Sequence, residues 1–269
     1  MAGRLEGKVA FITGAARGQG RAHAVRLASE GADVIALDNC ESARTTTYPG
    51  ATEEDLAETA ALVEKEGRRV VARKADIRDF DAVSAVVQEG LAELGRLDVV
   101  VANAGICSAA MSWEIPVEKW RETIDTNLTG TFFTVKATIP TLIEQGTGGS
   151  IIITSSVAGL RGLPFLADYA ASKHGVTGLA KTLANELAQF SIRVNTIHPH
   201  GVATGMQPAE MFELTQKYAA TLGPIFMGSL PDPVSQPEDI AAAVAFLASD
   251  ESRHVTGIQL PVDLGTLAR

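Results

Sequence analysis

The sequence predicts an α/β protein in which one parallel sheet is covered by helices on both faces. Apolar runs alternate with amphipathic stretches from one end of the chain to the other, and the strand-like runs are continuous. Continuous apolar runs are typical of strands that are buried on both faces, as in parallel sheets. Strands that alternate with helices predict right-handed βαβ units in a single doubly wound sheet.

Each predicted element follows from its own pattern. Continuous apolar runs predict seven strands, at 9–13, 33–38, 70–76, 97–102, 150–154, 192–197 and 258–262. Amphipathic stretches between them predict helices at 18–30, from about 52 onward, and at 80–94, 117–145, 167–189 and 238–249. Thr52 and Asp55 have the spacing of a capping box, which favours a helix start at that point.

Length and charge restrict the classes of protein that remain. The 269 residues could form one or two domains, but no linker interrupts the pattern, so we expect a single domain over 1–269. The net charge of −9 argues against a nucleic-acid partner. No apolar run approaches the ~18 residues of a spanning helix, and the N-terminus lacks the apolar core of a signal peptide. These features predict a cytoplasmic protein without a membrane partner.

Cysteine and histidine give no sign of a metal site. Cys40 and Cys107 fit no zinc or redox spacing, and we interpret them as reduced thiols. The closest histidine pair, His198 and His200, has no cysteine or HExxH context. We therefore expect no bound metal.

A glycine-rich turn follows the first strand. Gly14, Gly18 and Gly20 are spaced Gly-x-x-x-Gly-x-Gly, which is not GxGxxG because His23 stands where the last glycine of that motif would fall. Such glycines allow a tight turn and let a pyrophosphate approach the backbone, while the following helix supplies amide donors. The strand, turn and helix together predict dinucleotide binding.

Asp38, at the end of the second strand, favours NAD over NADP. A carboxylate there can accept hydrogen bonds from the adenosine ribose. It would repel a 2′-phosphate by about 4 kcal/mol at ~4 Å and effective ε ~20. Asn39, not a basic residue, follows it, although Arg17 in the glycine turn could reach a 2′-phosphate.

Tyr169 and Lys173 are four residues apart on a predicted helix and therefore share a face. One ammonium ~4 Å away at ε ~20 supplies about 4 kcal/mol, enough to lower a tyrosine pKa from ~10 to ~7. Tyr169 could then take the proton of an alcohol while a hydride leaves to the cofactor. Ser156, just after a strand end, could hydrogen-bond the reacting oxygen.

At this point the chain resembles the classical short-chain dehydrogenases over essentially its whole length. The resemblance implies a Rossmann fold with strand order 3-2-1-4-5-6-7. It also implies catalytic roles for Asn127, Ser156, Tyr169 and Lys173. In the family, the residue that Asn127 matches interrupts its helix and holds a water for a proton relay. Asn103-Ala104-Gly105 matches the family's NAG motif. The expected cofactor-binding residues are Gly14, Arg17, Gly18, Gln19, Gly20, Asp38, Asn39, Asp76, Ile77, Asn103, Ala104, Gly105, Tyr169, Lys173, Pro199, Val202 and Thr204.

The segment 198–204 is similar to the family's Pro-Gly-x-x-x-Thr motif, which holds the nicotinamide carboxamide. His200 stands in the glycine position, so the resemblance does not fix the backbone path there. Thr204 keeps its place, and Val202 is carried over by its backbone.

A narrower resemblance, to the carveol-dehydrogenase-like branch associated with mycofactocin, rests on three features: the insertion 39–51, the glycine turn 13–20 and the His198-Pro199 segment. The insertion 39–51 is expected to cover the adenosine end of the site, and in that branch the NAD stays bound and is reoxidised by an external redox carrier. The segment 201–237 is expected to form a substrate lid, or simply a packed helix. Its large apolar residues are Met206, Met211, Phe212, Tyr218, Leu222, Ile225, Phe226, Met227 and Leu230.

These features predict an NAD-dependent enzyme that interconverts a small hydrophobic secondary alcohol, such as a carveol-like terpenoid, and its ketone. An NADP-dependent ketoacyl-type reductase and a non-catalytic dinucleotide sensor remain as alternatives. The resemblance also implies a homotetramer. Val176, Leu179, Leu183 and Leu187 have helical spacing that suits either a subunit interface or the core of one chain.

Overall fold

The computed structural model describes residues 3–269, and this part of the chain forms one sheet of seven parallel strands in the order β3-β2-β1-β4-β5-β6-β7. The strands are β1 Val9–Thr13, β2 Asp33–Asp38, β3 Val70–Lys74, β4 Val99–Ala102, β5 Gly149–Thr154, β6 Ile192–Pro199 and β7 Gln259–Val262. The predicted fold class and strand order are confirmed. The order reverses between β1 and β4, and that switch point is where open α/β sheets bind ligands.

Helices cover both faces of the sheet. They are α1 Gly18–Ser29, α2 Glu53–Lys65, α3 Phe80–Leu94, α4 Val117–Ile124, α5 Thr131–Gln145, α6 Ala167–Leu187, α7 Ala209–Lys217, α8 Ala219–Leu222 and α9 Pro237–Ala248. One core layer joins α1, α2 and α9 to the sheet, and the other joins α3, α5 and α6. Alternate strand residues supply the two layers, since Phe11 packs in one and Ile12 in the other.

Local signals set the element boundaries. Thr52 caps α2, because its side chain accepts a hydrogen bond from the amide of Asp55 while the Asp55 carboxylate accepts one from the amide of Thr52. This confirms the predicted capping box. β6 runs two residues further than expected, to Pro199, because His198 and Pro199 still pair with β7.

The predicted long helix 117–145 is a continuous helical segment with a π-helical turn, Asp125–Gly130, between α4 and α5. A π turn widens the hydrogen-bond ladder by one residue, and such turns are frequent at functional sites.

The helical stripe on α6 packs within this chain. Val176, Leu183 and Leu187 are buried in the core, and Leu179 packs against it. Of the two readings of that stripe, the structure therefore supports an intramolecular core. Between residues 3 and 269, no helix is both long and apolar enough to cross a membrane. Over the same range, no group of three or more His, Cys, Asp or Glu side chains could hold a metal ion.

Candidate active site

A cavity of about 670 Å³ opens at the carboxyl ends of the central strands. All of the expected cofactor-binding residues line it, as do Ser156, Tyr169 and Lys173. The insertion 39–51 and the segment 201–237 contribute further lining residues at its mouth. The fold thus brings together residues that lie up to 190 positions apart, between Gly14 and Thr204.

The glycine turn is shaped so that side chains cannot replace its glycines. Gly14 has φ +67°, and a Cβ on it would lie 2.8 Å from the Cα of Ala104. A Cβ on Gly20 would lie 1.8 Å from the carbonyl oxygen of Gly14. Gly18 has φ +54° and faces the side chain of Thr204. The backbone is therefore bare where a pyrophosphate would approach, as dinucleotide binding requires.

Gln19 supplies a second sign of fit to a dinucleotide. Its Oε1 atom is buried and has no hydrogen-bond partner within the described chain, although it lines the cavity. Buried acceptors are nearly always paired in native proteins. The unpaired Gln19 Oε1 on the cavity wall is therefore suited to accept a hydrogen bond from a bound dinucleotide.

Asp38 lies in the cavity wall with its carboxylate fixed by two backbone amides. Oδ2 accepts from the amide of Ala16 at 3.1 Å, and Oδ1 accepts from the amide of Cys40 at 3.0 Å. Each oxygen keeps a second lone pair for a ribose hydroxyl. The side chain is 8% exposed, so a 2′-phosphate would meet a fixed and poorly solvated negative charge.

Two basic side chains beside the cavity are already engaged. The Arg78 guanidinium and amide hydrogen-bond the carboxylate of Asp76. Burial opposes ionisation of Asp76, but these bonds outweigh it and lower its pKa. Arg17 donates to the carbonyl oxygen of Pro49 at 2.5 Å, which ties the glycine turn to the insertion.

The NAG segment supports the glycine turn from the neighbouring strand. The Asn103 side chain donates to the carbonyl of Thr13 at 3.1 Å, and the amides of Asn103 and Ala104 donate to the Thr13 hydroxyl at 3.1 and 3.2 Å. Because β1 and β4 are paired, these bonds lock the turn to the end of β4.

Lys173 and Tyr169 lie on one face of α6 at the cavity floor. Lys173 Nζ is 5.5 Å from the centre of the Tyr169 ring and donates to the carbonyl of Thr154 at 2.7 Å. Ser156 follows the end of β5, and its hydroxyl accepts from the amide of Ala158 at 3.1 Å. The three side chains expected to carry the chemistry therefore share one small volume.

The expectation that Lys173 lowers the pKa of Tyr169 is wrong for the protein alone. Burial raises the pKa of Tyr169 above its usual value, and the nearby Ser156 hydroxyl opposes this only in part. Burial also lowers the pKa of Lys173 to about 8. Desolvation thus disfavours both charged forms, and the Lys173 ammonium, which donates a hydrogen bond to the Thr154 carbonyl, does not offset it.

Asn127 lies in the π turn behind the cavity, fully buried and outside its lining. Its side-chain oxygen accepts from the amide of Ile106 at 2.8 Å, and its nitrogen donates to the Ile106 carbonyl at 2.8 Å. A Cβ on Gly105 would lie 3.1 Å from Asn127 Oδ1 and 3.6 Å from Lys173 Nζ. Asn127 therefore fixes the backbone that separates it from Lys173.

The insertion 39–51 is a loop without helix or strand, and a buried carboxylate on α4 anchors it. Glu122 is 4% exposed and accepts from the amide of Arg44 at 3.1 Å and the amide of Thr45 at 2.9 Å. It also accepts from the Thr45 hydroxyl at 2.5 Å.

Beyond this anchor the insertion reaches the catalytic end of the cavity. The hydroxyl of Tyr48 accepts from the amide of Cys107 at 3.0 Å. Thr47 accepts from the amide of Ala209, the first residue of α7, at 3.2 Å, and its hydroxyl donates to Glu210 at 2.8 Å. The insertion therefore spans more of the site than the adenosine end predicted from the sequence.

The segment 201–237 folds over the cavity as α7, α8 and a short 3₁₀ turn. Part of it packs on a small apolar cluster beside Tyr169 that includes Leu163, Phe165 and Leu166. Several of its apolar side chains face the cavity: Met206, Met211, Phe212 and Phe226. Met227 and Leu230 are exposed. Met211 and Phe226 belong to both sets, so the packed part of this segment is also the part that faces the cavity.

His200 occupies the glycine position of the 198–204 segment without strain. Its φ is not in the left-handed region, so the backbone there does not require glycine. Pro199, Val202 and Thr204 line the cavity as expected.

Sequence reasoning missed several residues of the site. Tyr48, Cys107, Leu163 and Leu166 line the cavity, and Glu122 anchors its cover. Tyr48 could have been found from the sequence, because it is the only aromatic residue of the insertion 39–51. Glu122 carried no signal, because a glutamate on an amphipathic helix usually faces water.

Comparison with known proteins agrees with this geometry. The family model for short chain dehydrogenase matches residues 8–213. The chain is 43% identical to a (−)-trans-carveol dehydrogenase of Rhodococcus erythropolis over 98% of both chains. A solved carveol dehydrogenase from Mycobacterium avium in complex with NAD superposes with a TM-score of 0.94 at 48% identity, over 99% of this chain and 100% of the other. A short chain dehydrogenase from Mycobacterium paratuberculosis bound to NAD superposes with a TM-score of 0.96 at 50% identity, with the same coverage. From its fold, its glycine turn and these likenesses, the chain belongs to the short-chain dehydrogenase family.

Proposed function

We propose that the protein oxidises a small apolar secondary alcohol to its ketone, with NAD as the hydride acceptor and Tyr169 as the base. One observation carries the proposal. Ser156, Tyr169 and Lys173 lie at the floor of one cavity, and apolar side chains of the segment 201–237 cover it. An apolar cover suits a hydrocarbon substrate better than a sugar or a phosphate ester.

NAD is the cofactor of this enzyme. Two of the related structures contain it, and the buried Asp38 carboxylate at the end of β2 suits a ribose hydroxyl rather than a 2′-phosphate. Gly14, Gly18 and Gly20 would hold its pyrophosphate, and Val202 and Thr204 its nicotinamide end. When bound, NAD supplies a hydride acceptor and a positive charge at the reacting centre.

The chain's own side chains handle the proton of the reaction. Ser156 hydrogen-bonds the alcohol oxygen, and Tyr169 takes the hydroxyl proton while the carbinol carbon gives up its hydride. The Lys173 ammonium, whose Nζ lies 5.5 Å from the centre of the Tyr169 ring, favours the tyrosinate by its positive charge. Asn127 holds the backbone at Ile106, and we assign to it the water of a proton relay that starts at Lys173.

Tyr169→Phe tests the base. We expect turnover to fall by at least about 1,000-fold, because the variant has no group to take the proton, while NAD affinity stays within about threefold of that of the unaltered protein. Tyr218→Phe is a matched control, since Tyr218 packs against Phe165 outside the cavity. Unchanged turnover in Tyr169→Phe would refute the mechanism.

We also propose that NAD stays bound between turnovers and that an external redox carrier reoxidises it. The support is the insertion, which bonds to Glu122, Cys107 and the start of α7 across the cavity mouth. Heat-denatured, freshly purified protein should release close to one equivalent of NAD per chain, measured by mass spectrometry. A purified protein that releases none would contradict this proposal.

The substrate class is tested with the bound cofactor. We expect carveol-like and other cyclic secondary alcohols to reduce the protein-bound NAD in a single turnover, followed by absorbance of NADH. A panel in which sugars or acyl thioesters react faster than apolar alcohols would contradict the assignment.

We propose that the enzyme is a homotetramer. Trp113, Trp120 and Phe132 lie in or beside the segment of α4 and α5 and are 76, 42 and 41% exposed. Large exposed apolar side chains along one stretch of a chain suit a contact between subunits. Light scattering should report four chains per particle, and a monomer at micromolar concentration would refute the assembly.

A further inference from the structure

The catalytic mechanism gives no role to the buried His198. His198, on β6, has no exposed surface, and it sits two residues before the cavity-lining His200. The imidazole contacts groups at both ends. Its Nδ1 lies 2.6 Å from the carbonyl oxygen of Ser156, and its Nε2 lies 2.7 Å from the hydroxyl of Thr196.

These two partners determine which nitrogen carries the proton. The carbonyl of Ser156 can only accept, so a hydrogen bond at 2.6 Å requires the proton on Nδ1. Burial lowers the pKa of His198 to about 4, so the ring is neutral near pH 7 and Nε2 is an acceptor. Nε2 therefore accepts the hydroxyl proton of Thr196, and the bonds run in one direction, from Thr196 through His198 to Ser156.

The backbone of Ser156 needs such support because it lies beyond the end of the sheet. β5 ends at Thr154, and the amide of Ser155 makes the next bond, to Ile197, at 2.9 Å. The carbonyl of Ser156 accepts instead from His198 and, at 2.8 Å, from the amide of Gly159. Both of its lone pairs are thus used.

The same segment also touches the serine side chain. The Ser156 hydroxyl lies 3.4 Å from the carbonyl of Pro199, the residue after His198. The imidazole is therefore a short rigid link that sets the distance between β6 and the residue that faces the substrate. A misplacement of about 1 Å in a catalytic group can cost roughly 100-fold in rate.

We propose that His198 is a positioning residue for Ser156: its Nδ1–H holds the Ser156 carbonyl and so aims the serine hydroxyl at the alcohol oxygen. The inference rests on the proposed function, since it assigns the serine its role in that reaction. It gives His198 no contact with substrate or cofactor and no part in proton transfer.

The test compares two amide replacements of the histidine. In His198→Asn the amide nitrogen can take the place of Nδ1, whereas in His198→Gln the amide reaches the position of Nε2. We expect His198→Asn to keep kcat within about threefold and His198→Gln to lower it by roughly 10- to 100-fold, with KM and NAD affinity changed by less than about threefold. Equal losses in the two variants, or full activity in His198→Gln, would overturn the proposal.

A double-mutant cycle separates positioning from a general loss of stability. Ser156→Ala removes the hydroxyl that His198 is proposed to aim. In that background, His198→Gln should lower kcat by less than about twofold further, because the two residues act through one interaction. A full additional loss would overturn the inference. A Ser156→Ala enzyme with the kcat of the unaltered protein would instead refute the role of Ser156 in the proposed function.

Nitrogen-15 NMR gives a readout that does not depend on turnover. Long-range correlations of the labelled imidazole, assigned by their absence in His198→Asn, should show the neutral Nδ1–H tautomer at about pH 7. An Nε2–H tautomer would contradict the bond to the Ser156 carbonyl and, with it, the proposal.

Discussion

Glu122→Gln should loosen the insertion and release NAD faster. In the unaltered protein, one carboxylate accepts three hydrogen bonds from Arg44 and Thr45, at 3.1, 2.9 and 2.5 Å. Glutamine keeps one acceptor oxygen, but its NH₂ group replaces the other oxygen and faces a backbone N–H of the insertion, which is also a donor. It also removes the negative charge that strengthens the other bonds.

The magnitude follows from those contacts. A hydrogen bond to a charged group contributes about 1.5–3 kcal/mol, against about 1 kcal/mol for a neutral one. Losing one such bond and weakening the other two gives about 2.5–7 kcal/mol, or roughly a 60- to 100,000-fold shift toward the open loop. If opening precedes release, the dissociation rate of NAD rises by up to that factor.

In the assay the bound cofactor is reduced to NADH and excess NAD is added. The loss of protein-bound NADH fluorescence then gives the dissociation rate of the cofactor. Glu118→Gln is the matched control, because Glu118 lies on the same helix, is exposed and undergoes the same change of charge. A release rate in Glu122→Gln equal to that of the unaltered protein would refute the anchoring argument. An equal rise in Glu118→Gln would do the same.

Three further predictions follow from the site. Lys173→Met should abolish turnover yet raise the unfolding free energy of the cofactor-free protein, because burial of the charged lysine costs stability and lowers the pKa of Lys173 to about 8. This gain in unfolding free energy should shrink as the pH rises from about 8 to ~10.5, as measured by urea unfolding across pH. Asp38→Asn should lower the preference for NAD over NADP by up to roughly 1,000-fold, measured as the ratio of dissociation constants. Gly20→Ala should prevent NAD binding, since its Cβ would lie 1.8 Å from the carbonyl oxygen of Gly14. The control Gly178→Ala, whose Cβ meets nothing within 4 Å, should leave NAD titration unchanged and raise the unfolding temperature, because Gly178 lies in the interior of α6.

The fold and most of the site could be predicted because their signals are local. Buried parallel strands leave continuous apolar runs, and a phosphate turn leaves glycines at fixed spacing. Gly14, Asp38 and Tyr169 could therefore be placed before any coordinates were known. All three line the same cavity in the structure.

The remaining features depend on contacts between distant parts of the chain. Glu122 and Thr45 are 77 positions apart, and nothing near either residue indicates the other. In the protein without NAD, burial raises the pKa of Tyr169. The sequence could not indicate this, because spacing along a helix places Lys173 nearby but does not give the extent of desolvation. The side-chain bonds of His198 likewise depend on how far β6 extends beside Ser156.

Thr47 connects the insertion 39–51 to the segment 201–237, the two parts of the chain that cover the cavity. It belongs to the insertion above the cofactor, and it caps the first helix of the segment above the substrate. Those bonds must break whenever α7 moves away from the insertion. If NAD stays bound while the substrate exchanges, as proposed, α7 has to part from an insertion that stays in place. Efforts to transplant this insertion into another dehydrogenase should therefore transfer α7 with it.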